Sequence, residues 1–355
     1  APLAPDGVVE VQGCDANKAP TMLTMKLKAD DATDATALVL TANGVPHYTP
    51  TRTGANGGGA VGTWWNDAGY SRAGRLDRNP NGIGAQSYTF YLPRAPTLIT
   101  SGERPYYTAM KDGGAVWWTP MGPIGVGVNG VPFYNPLTGA KTDAVQVEAF
   151  DEQAGHPDGQ LRYHYHQYSS GLLTTEVELL RGLGQQRREL VRIIGYGFDG
   201  VPIYGPLGLV TDPHSGAVQV KLMRSSYQLK DTARDLGSDN GNGNGNGNGN
   251  GWGHQRYHRQ HGDWAHDVSE YEYVEGSGEL DFCNGLFGPT PEHPEGVYHY
   301  HTSMVVDPTT NTLVPAFPYV IGAYKGEPDL RNFPPHHWPG ARGTNGPAGG
   351  GKGKG

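Results

Sequence analysis

Apolar and polar residues alternate one for one along much of this chain. Residues 86–92, 144–148 and 217–222 each place apolar side chains at every second position, the period of a strand with one buried face. These segments are read as strands. Helical spacing appears only over residues 174–180 and 185–192, two short stretches set apart by Gly182 and Gly184. A hexapeptide recurs three times: Asn43-Gly44-Val45-Pro46-His47-Tyr48, Asn129-Gly130-Val131-Pro132-Phe133-Tyr134 and Asp199-Gly200-Val201-Pro202-Ile203-Tyr204. Asn-Gly and Asp-Gly favour positive φ, so each copy predicts a chain reversal followed by an extended arm. The copies are too unevenly spaced for a solenoid or propeller and point to similar corners of one sheet-based fold.

Composition sharpens this picture. The 355 residues suffice for one large domain or two modest ones, and 55 Gly with 28 Pro make up nearly a quarter of the chain, about twice the usual share. Long helices are disfavoured at that content. The expected fold is mainly β, a single large β-sandwich-like domain with a few short helices and long irregular loops. Its predicted limits are residues 40–326, with an N-terminal extension over 1–39 and a Pro/Gly-rich tail over 327–355. Net charge is −8, from 27 basic and 35 acidic residues, which argues against a nucleic-acid partner. No apolar run reaches the about 18 residues that a membrane-spanning helix needs.

Ala1-Pro2-Leu3-Ala4 lacks an initiator Met, as expected for a secreted chain whose signal has been removed. Cys14 and Cys283 are an even pair that could close one long loop as a disulfide in an oxidising compartment, or stay as two buried thiols.

The most specific signal is a duplicated box. Tyr163-His164-Tyr165-His166 follows Gly155-His156-Pro157-Asp158-Gly159, and Tyr298-His299-Tyr300-His301 follows Glu292-His293-Pro294-Glu295-Gly296. In a strand the two imidazoles of each box share one face and the two phenols the other. Two such strands lying side by side would present four imidazoles, enough for a transition metal such as copper or zinc. His156 and His293, each before a proline, are further candidate ligands or simply turn residues. Asp199 and Asp281 are candidate acceptors that orient the imidazoles from behind. The alternative is a buried polar seam with no cofactor, in which the imidazoles bond carbonyls and carboxylates.

Residues 125–134, 155–159, the Tyr-His-Tyr-His box, residues 194–206, 280–285 and 317–322 occur in the order found in YHYH-domain proteins, and residues 79–88 fit upstream. The chain therefore resembles that family over roughly residues 40–326. The resemblance implies a secreted or surface β-rich domain and leaves the activity open. Two departures stand out. Where relatives often carry a Cys before Gly-His-Pro, this chain reads Asp151-Glu152-Gln153-Ala154, which leaves Cys14 as the intramolecular partner for Cys283. Relatives also tend to end the second box on a residue other than His, whereas His301 completes a full duplicate here.

An insert over residues 238–268 holds six consecutive Asn-Gly dipeptides at 240–251, followed by His254, His258, His261 and His266 with Arg256 and Arg259. Such a Gly- and His-rich member is similar to skeletal matrix proteins of the kind found in glass-sponge axial filaments. Imidazoles with pKa near about 6.5 supply acid and base forms together at neutral pH. A surface of His254, His258, His261, His266, His336 and His337 is thus suited to promoting silicic acid condensation. The leading expectation is a secreted, self-assembling matrix protein with itself and silica or another mineral as partners. No Gly-x-Ser-x-Gly, His-Glu-x-x-His or phosphate-binding loop supports an enzyme. The first alternative is a metal-binding protein or metalloenzyme built on the boxes. The second is a carbohydrate-binding module using Trp64, Trp65, Trp117 and Trp118.

Overall fold

The computed structural model describes residues 36–47, 83–98, 119–139, 142–148, 150–230 and 270–333, with the backbone of strand segments at 9–14, 20–28, 70–72 and 75–77. The fold is mainly β, as the alternation predicts. From the N-terminus run β1 (Val9–Cys14), β2 (Pro20–Lys28), β3 (Ala37–Ala42), a small hairpin of β4 (Tyr70–Arg72) and β5 (Arg75–Asp77), and β6 (Tyr88–Pro93). Strands β1-β2-β3-β6 form an antiparallel sheet. On β3 and β6 the buried side chains include Leu40, Ala42, Phe90 and Leu92, which join the main core, and the Phe90 ring lies 5.4 Å from that of Phe198.

The main sheet starts with β7 (Pro123–Gly127), β8 (Pro132–Tyr134), β9 (Gly155–Pro157), β10 (Tyr163–Tyr165), β11 (Ile193–Gly197) and β12 (Pro202–Tyr204). Hairpins β13 (Leu207–Thr211)–β14 (Val218–Leu222) and β15 (Tyr227–Leu229)–β16 (Tyr271–Tyr273) follow. Strands β17 (Gly285–Gly288) and β18 (Val297–His301) complete the sheet, and β19 (Met304–Val306) and β20 (Leu313–Pro315) form a last hairpin. The order is β17-β18-β12-β11-β7-β8-β10-β9. Read from either edge inward, the pairings are antiparallel, parallel, antiparallel, and then the antiparallel β7–β11 seam. The sheet is therefore a twofold-like duplication about that seam.

The duplication has a local cause. Asn129 and Asp199 each turn the chain by accepting the N–H two residues on, from Val131 at 3.2 Å and Val201 at 3.3 Å. Gly130 and Gly200 take φ of 78° and 79°, the left-handed region that favours glycine. Asn43 repeats the device with Val45 at 3.0 Å. Gly125 and Gly195 each sit where a Cβ would press on the backbone of the facing strand across the seam, which lets β7 and β11 approach closely.

Two expected elements differ. Residues 144–148 are not a strand: Ala144–Val147 is a helical turn, α1, because Asp143 caps it, accepting the Gln146 N–H at 3.3 Å, and Tyr319 anchors that carboxylate at 2.6 Å. The expected break at Gly182 is absent, since α2 runs Glu176–Gly184 through it. Gly182 is buried there against Leu190, where a Cβ would collide with that side chain. Beyond residue 326, Asn332 bonds the Tyr91 backbone twice and Phe333 packs on Phe198.

Candidate metal centre

The hairpin β9–β10 is built around Asp151. Its Oδ1 accepts the N–H groups of Gln153 at 2.9 Å and Gly155 at 3.0 Å, and its Oδ2 accepts the Tyr163 hydroxyl at 2.7 Å. Pairing then sets His156 directly opposite His164, so both project to the same face. His166 follows two residues after His164 and joins them. Tyr163 and Tyr165 project to the other face and are fully buried.

The three imidazoles converge through Nε2. His156 Nε2 lies 3.0 Å from His164 Nε2, which lies 3.1 Å from His166 Nε2. Glu148, just past α1, brings Oε2 to 3.1 Å from His156 Nε2 and 3.5 Å from His166 Nε2. Tetrahedral zinc with bonds of about 2.0–2.1 Å to nitrogen holds its donors about 3.3 Å apart, so these four contacts have the spacing of neighbouring metal ligands, and the ligand atoms of the three imidazoles lie within 4.8 Å of one another. The far side of each ring is also fixed. His164 Nδ1 bonds the Arg162 carbonyl at 3.0 Å and His166 Nδ1 the Asn135 carbonyl at 2.6 Å. A carbonyl only accepts, so both Nδ1 atoms carry the proton, and in the neutral rings both Nε2 atoms present bare lone pairs. Two lone pairs 3.1 Å apart repel unless a cation lies between them.

Burial disfavours charge on His164 and His166. Burial, then the neighbouring imidazoles, push His164 well below its ordinary pKa, and burial takes His166 down to about 4. Burial pushes the Glu148 carboxyl up, but the His156 hydrogen bond and the charges of His156 and His166 outweigh it and hold it low. Tyr134 stacks on His164 at 3.8 Å and Phe150 packs on His156 at 4.6 Å. These rings wall the site off from water. Glu148, with its side chain 31% exposed, is the polar edge facing out.

The second box repeats the frame without the full donor set. Asp281 accepts the N–H groups of Cys283 at 2.9 Å and Gly285 at 3.1 Å and the Tyr298 hydroxyl at 2.9 Å, as Asp151 does in the first. His299 Nδ1 bonds the Val297 carbonyl at 2.9 Å and His301 Nδ1 the Gly205 carbonyl at 2.6 Å. Leu286, however, faces His299.

The sequence-derived candidates divide accordingly. His156, His164 and His166 come together, and among the described residues they are the one group of three or more His, Cys, Asp or Glu placed to hold a metal. His299 and His301 do not join them, because β12, β11, β7 and β8 lie between the two boxes. His293 is exposed in a turn beside Glu295. Asp199 and Asp281 do not orient imidazoles. They accept the hydroxyls of Tyr300, at 2.5 Å, and Tyr298 on the opposite face. Backbone carbonyls orient the rings instead. Tyr165 accepts a bond from Asn129 Nδ2 at 3.0 Å. Cys283 is a buried free thiol rather than half of a disulfide, and the Cys14 side chain lies outside the described residues. So do His254, His258, His261, His266, His336, His337, Arg256 and Arg259, and Trp64, Trp65, Trp117 and Trp118. Sequence reasoning missed Glu148, Tyr134 and Asp151; the repeated Asp at four residues before Gly155 and Gly285 was the available signal for Asp151. Among the described residues no helix is long and apolar enough to cross a membrane.

A family model described as YHYH protein matches residues 89–314, well over half of the chain. No curated protein and no solved structure matches.

Proposed function

The chain belongs to the YHYH protein family, and we propose that its function is to bind a divalent transition metal, zinc or copper, through His156, His164, His166 and Glu148. The observation that carries this reading is the grouping of three imidazoles with His164 Nε2 at 3.0–3.1 Å from the other two, and Glu148 Oε2 at 3.1–3.5 Å from His156 and His166. Two of those nitrogens have Nδ1 committed to a carbonyl. Neutral imidazoles with one carboxylate suit Zn2+ or Cu2+ rather than a hard ion such as Ca2+, which prefers an all-oxygen shell. The hydrogen bonds behind the rings supply the support that metal-bound His residues generally have.

Metal analysis and calorimetric titration of the full chain test this. One equivalent of zinc or copper(II) is expected in the wild type and none in His164→Asn, with unchanged circular dichroism. A wild-type chain that takes up neither ion sinks the reading.

Secretion and assembly into a matrix are a separate proposal, supported by the Asn-Gly repeat and the four histidines of residues 240–266. Light scattering across concentration tests it: growth of large species is expected, and a persistent monomer counts against it.

A further inference from the structure

The second box is not a worn copy of the first. Its two imidazoles keep a similar ring spacing, with centroids 4.9 Å apart in the pair His299–His301 and 4.8 Å in His164–His166, but His301 Nε2 lacks the close Nε2 contact that joins His164 to His166 at 3.1 Å. Both Nδ1 atoms are likewise committed to carbonyls, so both Nε2 atoms present lone pairs. His301 is wholly buried, and its Nε2 has no hydrogen-bond partner among the described residues. A buried acceptor left unpaired is unfavourable and asks for a ligand.

What surrounds this lone pair differs in kind from the first site. Leu286 stands where His156 would be. Glu292 acts on His299 through its charge but is engaged by the Tyr204 hydroxyl at 2.5 Å, and among the described residues no carboxylate groups with the two histidines as a ligand. The added donor is a thioether. Met223 is fully buried, and a Cβ on Gly208 would come within 2.8 Å of Met223 Sδ and 2.9 Å of His301 Cε1. The sulfur and the imidazole thus share the small space that Gly208 leaves open on β13. Burial keeps both rings neutral, which leaves the nitrogens available.

From this arrangement we propose that His299, His301 and Met223 form a second metal site, selective for copper(I). Imidazole and thioether are the soft donors that a monovalent d10 ion accepts. A donor set without an anionic member, buried among apolar side chains, disfavours a divalent charge more than a single one. The site would be formed inside one half of the duplication and does not depend on the metal held by the other.

The test is an anaerobic copper(I) titration of the full chain against a chromogenic copper(I) chelator, with zinc added beforehand to fill the first site. The wild type is expected to take one copper(I) equivalent. His164→Asn should take the same equivalent, Met223→Leu should bind it about tenfold more weakly or worse, and His301→Phe should not bind it. Met223→Leu nearly conserves volume, so it decides the matter if His301→Phe does not fold. No uptake by the wild type, or an affinity unchanged in Met223→Leu, overturns the assignment. A chain that ignores zinc yet shows Met223-dependent copper(I) uptake sinks the first site and leaves this one standing.

Discussion

Leu286 occupies, opposite His299, the ladder position that His156 occupies opposite His164. The two halves of the sheet otherwise share their turns, their Asp–Tyr bonds and the carbonyls behind their imidazoles. One side chain therefore separates a three-imidazole cluster from a two-imidazole one. Leu286→His should add a second zinc equivalent, and His156→Leu should remove the first. Zinc stoichiometry unchanged in both variants would show that the register does not govern the site.

Glu148 touches the cluster at its exposed edge and, among the described residues, brings the carboxylate that contacts it. Glu148→Gln keeps the size and removes the charge, so divalent affinity should fall about 10- to 100-fold, the range for losing a carboxylate beside metal-bound histidines. Copper(I) uptake at the second box should not move, since that box lies four strands away. Competition titration reads both numbers, and equal losses at the two sites would refute the separation.

Much of this was legible in sequence, and the rest was lost for physical reasons. Alternation located Tyr88–Pro93 and Val218–Leu222, and the duplicated box placed His and Tyr on opposite faces. The expectation that the boxes adjoin fails because each pairs in parallel with its own hairpin, Tyr165 with Phe133 and Tyr300 with Ile203. Such long-range pairing leaves no local mark. Glu148 was hidden inside a segment whose alternation imitates a strand, while the contacts that wind it into a turn come from Tyr319 and Tyr271, far along the chain. Asp199 could have been placed correctly: once His and Tyr take opposite faces, a carboxylate that bonds Tyr300 cannot also serve the imidazoles.

Gly155 and Gly285 hold equivalent places where a Cβ would run into the ring of Tyr163 or Tyr298. The tyrosines cannot yield, being buried and tied to Asp151 and Asp281. Either Gly→Ala change should cost roughly 1–3 kcal/mol of stability, the usual penalty of overpacking. Gly184→Ala, at the end of α2 with open space around it, should be neutral or mildly stabilising. Denaturant melts of the three variants check this ranking, which a costly Gly184→Ala would reverse.

Asp199 makes stability depend on pH in a direction opposite to most carboxylates. Burial raises its pKa to about 6, although Tyr300, Gly326 and Val201 all donate to it. A folded value above the unfolded one, which is near about 4, means that the contribution is fully present below pH 4 and is lost as pH rises through 6. The buried imidazoles run the other way: His166, lowered to about 4, contributes stability above its unfolded value of about 6.5 that is lost as pH falls. The two trends overlap between them, so the wild-type profile alone cannot assign the cause. A difference profile can. Asp199→Asn removes one titration and leaves the imidazoles in place, so wild type should lose roughly 2–3 kcal/mol relative to the variant between pH 4 and pH 7. The absolute cost of the substitution does not enter, because the lost Gly326 bond is the same at every pH. Parallel profiles for the two proteins would mean that the buried carboxyl does not titrate in that window.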